Sequence, residues 1–157
     1  MQLDKLCVAC FSPTHTSMKI ARAIADGMHI ARREEIDLTT DPADTPISVR
    51  NAICIVAAPV YGGLVAPVAV RRIARLRAEN SIAIPVVVYG NRDYEDALVQ
   101  LRDLLHAQGF TPLCGAAFVG EHSYSTPGTP IAEGRPDTQD LAEAAAFGAR
   151  IGQKLAH

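Results

Sequence analysis

Ser12-Pro13-Thr14-His15-Thr16-Ser17 separates an apolar run, Leu6–Phe11, from a helical pattern that begins near Ser17. The run reads as a short strand. Beyond the hexapeptide, Ile20, Ala21, Ile24 and Met28 recur at the spacing of one helical face. The segment is therefore a strand, a turn and a helix, and the turn carries four hydroxyls, those of Ser12, Thr14, Thr16 and Ser17. A helix start has backbone N–H groups with no partner inside the helix, together with the positive end of the peptide dipole array. Hydroxyls and free amides at such a place suit a phosphate. No Gly-Lys-Ser/Thr follows, and the nearby lysine is Lys19, so the ATP-type loop does not fit. A triphosphate more often needs a lysine and a metal. Hydroxyls without a fixed cation point to a phosphate monoester on a tightly held cofactor.

The alternation begun here continues along the chain. Strands are expected at Leu6–Phe11, Glu34–Leu38, Ala52–Ala58, Ile84–Tyr89 and Leu113–Val119. The continuous apolar run Ala52–Ala58 fits a strand covered on both faces. Helices are expected at Ser17–Met28, Pro67–Asn80, Asp93–Gln108 and Gln139–Leu155, with Pro67 suited to a first helical position and Gly109 to a stop. Alternation of this kind gives an α/β domain, a doubly wound parallel sheet of five strands with helices on both faces. One crossover differs. Thr39–Arg50 contains Pro42 and Pro46 and no helical face, so a short or irregular link is expected there. Gly120–Thr138 is a long Gly/Pro-rich loop, a kind that is usually functional or disordered.

At 157 residues, the chain fits one domain, 1–157, with a sizeable core. A formal net charge of -2 offers no basic surface for nucleic acid, and no apolar run reaches membrane-spanning length. The opening residues lack a signal-peptide pattern, so a cytoplasmic location is the expectation. Cys7, Cys10, Cys54 and Cys114 all lie in or beside apolar runs and read as buried thiols. The spacing Cys7-x-x-Cys10 looks like a redox motif, yet three residues along a strand put the side chains on opposite faces. No ligand spacing for a metal or an iron–sulfur cluster is present, nor an arrangement for hydrolysis.

In doubly wound sheets, ligands bind beyond the carboxyl ends of the strands, where the strand order reverses. The loops there are Ser12–Ser17, Pro59–Ala66, Gly90–Tyr94 and Gly120–Thr138. Together they resemble the flavodoxin family. Ser12-Pro13-Thr14-His15-Thr16-Ser17 is similar to its phosphate loop, Ala58-Pro59-Val60-Tyr61-Gly62-Gly63 to its second flavin loop, and Tyr89-Gly90-Asn91-Arg92-Asp93-Tyr94-Glu95-Asp96 to its third. The segment Gly120-Glu121-His122-Ser123 extends the likeness to the flavodoxin domains of ferredoxin–flavodoxin fusion proteins, whose iron–sulfur module with its Cys-x-x-Cys-x-x-Cys run is absent here. The resemblance implies a three-layer sandwich of strand order 2-1-3-4-5 that binds FMN and shuttles low-potential electrons. Its partner would be a ferredoxin-like protein or a reductase. Two other functions stay open: an FMN-dependent NAD(P)H oxidoreductase of quinone-reductase type, and a binding module of this fold that has lost FMN.

The resemblance assigns Ser12, Thr14, His15, Thr16 and Ser17 to the phosphate, and Pro59, Val60, Tyr61, Gly62, Gly63, Gly90, Asn91, Arg92, Tyr94 and His122 to the flavin. Each has a plainer reading. Thr16 or Ser17 would cap the helix in any case. Tyr61 and Tyr94 would stack on the ring or pack at loop bases. Gly62, Gly63 and Gly90 permit close backbone approach or simply shape turns. Asn91 would read the pyrimidine edge; Arg92 would favour reduced flavin or pair with Asp93 or Glu95. His122 would contact flavin or substrate, or stand solvated in its loop. Arg71, Arg72, Arg75 and Arg77 would attract an acidic partner or form a solvated helix face. His15 stands where the family has glycine, so a left-handed backbone would be occupied by a residue with a side chain.

Overall fold

The structure is a computed structural model that describes residues 3, 5–40, 44–90, 94, 96–120 and 134–155. In chain order it forms β1 (Lys5–Cys10), α1 (Thr16–Met28), β2 (Arg33–Asp37), β3 (Ile47–Arg50), β4 (Ala52–Tyr61), β5 (Leu64–Val65), α2 (Pro67–Ile73), β6 (Leu76–Glu79), β7 (Ile82–Tyr89), α3 (Ala97–Ala107), β8 (Thr111–Pro112), β9 (Ala116–Val119) and α4 (Thr138–Leu155). The main sheet runs β2-β1-β4-β7 and ends on β8 and β9, all parallel. With β8 and β9 taken as one interrupted strand, this is the 2-1-3-4-5 order. The chain turns from one half of the sheet to the other between β1 and β4.

Apolar side chains divide cleanly between the faces. Leu6, Val8 and Cys10 of β1 pack with Ile20 and Ile24 of α1 and with Ala144 and Ile151 of α4. Cys7 and Ala9 of the same strand point the other way, into a cluster with Ile73 of α2 and Leu101 and Leu105 of α3. The alternation of Cys7 and Cys10 between faces is thus the one the spacing dictates. Cys7 instead faces Cys54, its register partner on β4. Burial pushes the Cys10 thiol up to about 12, with a smaller push from Glu35. The Cys54 thiol is raised by its hydrogen bond with Cys7 and then by burial. Neither is a thiolate at neutral pH, which suits packing and not redox exchange.

The helix expected at Pro67–Asn80 ends at Ile73, and Leu76–Glu79 is a strand instead. It pairs in parallel with β3, Ile47 opposite Leu76 and Val49 opposite Ala78. The link expected to be short or irregular over Thr39–Arg50 carries no helix in its described part, but its end, Ile47–Arg50, is the strand β3, held there by pairing with β6. This small ribbon puts Val49 and Leu76 into the cluster that α2 and α3 cover. Arg, Leu, Ala and Glu at 75–79 are good helix formers, but tertiary pairing overrides so weak a preference. Both strands of the ribbon enter the main sheet through a left-handed asparagine, Asn51 at φ 52° and Asn80 at φ 49°. Asparagine is one of the few residues with a Cβ that visits this region readily. Asn80 Nδ2 donates to Asn51 Oδ1 at 2.7 Å, so the two kinks are locked together.

The fifth strand is also interrupted. Ala83 aligns with Pro112 and Val86 with Ala116, so the edge strand has one residue more than β7 over this interval. Ala83 and Tyr89 direct their carbonyls to this edge, accepting from Leu113 and Gly120 N–H. Pro85 lies in phase with them and has no N–H to give, so the ladder bulges where that donor is missing.

The last helix is fixed at its start by a reciprocal pair. Asp140 N–H donates to Asp137 Oδ1 and Asp137 N–H donates to Asp140 Oδ2, each at 2.9 Å. This is the logic of a capping box. Arg135 adds two hydrogen bonds to Asp140, at 2.8 and 2.6 Å. The Arg135 bonds come first among the causes that lower the Asp140 carboxyl from 3.8 to about 2. A depressed carboxylate stabilises the fold above its unfolded value and loses that contribution as pH falls through the folded one. Acid unfolding is therefore expected to contain a component between about pH 4 and pH 2 that disappears in Asp140→Asn, measured as thermal midpoint against pH.

Candidate functional site

A cleft opens at the carboxyl ends of β1, β4, β7 and β9. It is lined by Ser12, Pro13, Thr14, Thr16 and Ser17, by Pro59, Val60 and Tyr61, by Val88, Tyr89 and Gly90, and by Gly120. This is the reversal point of the sheet, where such folds gather their ligands.

The 12–17 turn is built around Ser12, which is buried. Its carbonyl accepts from His15 N–H at 3.1 Å, closing the turn, and its Oγ accepts from Met18 N–H at 3.0 Å. Lys19 N–H donates to His15 O at 3.0 Å. Two of the four first-turn donors of α1 are thereby satisfied. Those of Thr16 and Ser17 have no acceptor among the described residues. Thr14 Oγ1 and Thr16 Oγ1 lie 3.1 Å apart beside them. The turn depends on His15 at φ 65°, ψ 1°, a left-handed conformation at the helix cap. Its side chain makes no capping hydrogen bond and is exposed.

On the other side of the cleft, β4 runs past the sheet into a hairpin with β5, Tyr61 opposite Leu64. Gly62 and Gly63 form its turn at φ 63° and 82°. Positive φ at both positions is the type I′ requirement, which side chains meet poorly. The hairpin is held by Val65 N–H, which donates to Gln100 Oε1 of α3 at 2.8 Å. Tyr61 is 36% exposed at the lip of the cleft.

No family model and no curated protein matches the chain. Solved structures do. A flavodoxin from Streptococcus pneumonia superposes with a TM-score of 0.59 at 17% identity, over 96% of this chain and 99% of that one. An NADH:FMN oxidoreductase in its apo form gives 0.63 at 14% identity, over 96% and 89%. A rubredoxin oxygen:oxidoreductase of Desulfovibrio gigas gives 0.63 at 14% identity, over 99% of this chain but 37% of that larger one. The chain has a flavodoxin-like fold. At these identities the likeness is one of fold, and the chemistry must be argued from the cleft itself.

This flavodoxin-like cleft brings together Ser12, Thr14, Thr16, Ser17, Pro59, Val60, Tyr61 and Gly90 of the residues singled out in the sequence. His15 shapes the same loop from outside, and Gly62 and Gly63 stand in the hairpin turn. Tyr94 packs on Tyr89, ring centroids 5.3 Å apart at 54°. Asn91, Arg92 and His122 lie outside the described residues. Sequence reasoning passed over Tyr89, Val88 and Gly120 as lining residues. Their signal was position alone: they end or follow the strands whose loops were already suspect. Among the described residues, no cluster of His, Cys, Asp or Glu could hold a metal ion, and no helix is long and apolar enough to cross a membrane.

Gly120 closes the floor of the cleft. A Cβ there would collide with Thr16 Cγ2 and stand 2.7 Å from Val88 Cγ1. Gly120→Ala is expected to lower stability by about 1–3 kcal/mol, read from chemical unfolding, because Thr16 or β9 must shift. His15→Gly is expected to raise it by about 0.5–1 kcal/mol, the left-handed strain removed less the entropy glycine gains when unfolded. A loss of stability in His15→Gly would show that the imidazole makes a compensating contact.

Proposed function

We propose that this protein binds FMN in the cleft and carries electrons between redox proteins. The observation that supports the reading best is the start of α1. Among the described residues, the N–H groups of Thr16 and Ser17 have no acceptor and no lysine or metal cluster lines the cleft, and the paired hydroxyls of Thr14 and Thr16 stand at the same dipole-positive end. Such a cradle fits a phosphate monoester, where uncharged donors share a dianion and the helix dipole offsets part of it. Thr14, Thr16 and Ser17 would hold the phosphate. Pro59, Val60, Tyr61 and Tyr89 offer flat and apolar surface for the ring. FMN, when bound, supplies the electron chemistry, while the chain supplies position and environment.

A carrier needs a face that a partner can approach. Three exposed large apolar side chains, Tyr61, Leu64 and Val68, follow one another along the hairpin and into α2, and Tyr61 lines the cleft. Exposed apolar groups gathered at one site mark contact surfaces more often than isolated ones do. This favours a protein partner over a small substrate.

The purified protein is expected to retain FMN with a dissociation constant of micromolar or tighter, since about thirty heavy atoms at roughly 0.3 kcal/mol each supply that affinity. Equilibrium dialysis reads it directly. No retention would make the protein a binding module of this fold without the cofactor. Steady NAD(P)H oxidation by the loaded protein alone would replace the carrier with a reductase.

A further inference from the structure

We infer that Thr39 and Arg72, neither of which lines the cleft, are positioning residues that hold the anion loop in its binding shape. The inference rests on reading the cleft as a phosphate site and extends it to residues outside that site. Ser12 N–H donates to Thr39 Oγ1 at 2.8 Å. This is the bond that turns Ser12 inward and lets its Oγ reach Met18 N–H. It also occupies the Ser12 amide, so an anion in the cleft would draw on the Thr16 and Ser17 amides, which have no acceptor among the described residues.

Thr39 is itself anchored from two directions. Its N–H donates to Asp37 Oδ1 at 2.8 Å. Arg72 Nη1 donates to Leu38 O at 2.8 Å and to Thr39 O at 3.0 Å. Leu38 N–H in turn continues the β1–β2 ladder by donating to Cys10 O at 2.8 Å. Arg72 belongs to α2, the helix that follows the Tyr61 hairpin. One guanidinium therefore ties the helix on the ring side of the cleft to the loop on the phosphate side. The described part of the crossover between β2 and β4 has no helix of its own to supply that rigidity.

The chemistry makes the inference separable from general stabilisation. A disturbed anion loop costs only ligands that carry the phosphate. Riboflavin, which shares the ring and lacks the ester, reports everything else. Dissociation constants for FMN and riboflavin are measured for the wild type, Thr39→Val, Thr39→Ser, Arg72→Met and Arg72→Lys. Thr39→Val is expected to weaken FMN about tenfold, the equivalent of one lost hydrogen bond near 1.4 kcal/mol, with riboflavin affected little. Thr39→Ser keeps the hydroxyl and is expected to restore FMN binding. Arg72→Met and Arg72→Lys are both expected to follow Thr39→Val, because methionine removes the donor shared by the two carbonyls and the shorter lysine arm does not carry its nitrogen as far.

Equal losses for both flavins in Thr39→Val, or no loss for either, would overturn the inference and leave the cofactor assignment standing. Full FMN affinity in Arg72→Lys would reduce Arg72 to a distant charge and overturn its positioning role. A wild-type protein that binds neither flavin would overturn the cofactor assignment, and this inference with it.

Discussion

A dianion held without a cation is the constraint on which the reading of this structure turns. Backbone amides must do the work of a lysine, and they can do so only if the chain presents them together and keeps competing acceptors away. The 12–17 turn meets that demand by dividing its donors. His15 and Met18 N–H are consumed inside the turn by Ser12 O and Oγ, and those of Thr16 and Ser17 have no acceptor among the described residues. The left-handed residue at His15 makes the division possible, since its φ of 65° swings the chain from strand direction into the helix within one turn. Glycine would adopt this angle with less strain; histidine tolerates it.

The rest of the molecule supports that turn from below and beside. β1 is an interior strand, buried on both faces, and delivers the loop to the reversal point of the sheet. α4 covers the same face of the sheet as α1, so the last helix braces the first. On the opposite face the missing crossover helix is replaced by a two-stranded ribbon and by arginine side chains. Arg72 and Arg75 satisfy carbonyls of the crossover at Leu38, Thr39 and Thr45. Of the four arginines at 71–77, Arg72 and Arg75 hold the crossover, while Arg71 and Arg77 are exposed.

What the sequence disclosed follows from which interactions are local. The main strands and α1, α3 and α4 are written in apolar periodicity, and the candidate anion loop in a dense set of hydroxyls at a strand-to-helix turn. The ribbon was hidden because β3 and β6 stabilise each other across 25 residues of chain or more, and neither carries a distinctive pattern alone. The bulge opposite Pro85 depends on which neighbour the proline faces, a matter of sheet register and not of composition. Tyr89 was passed over for Tyr94 because a strand-ending tyrosine looks like core until the cleft beside it is seen. Thr39 was invisible as a support because the loop it braces lies 27 residues away.

The most direct measurement is a crystal structure of the protein grown or soaked with FMN. The phosphate is expected on the start of α1, within hydrogen-bonding distance of the Thr16 and Ser17 amides, with the Ser12–Thr39 bond intact. Saturating FMN that leaves this turn empty, places the phosphate elsewhere, or finds the His15 ring lying across the amides would contradict it.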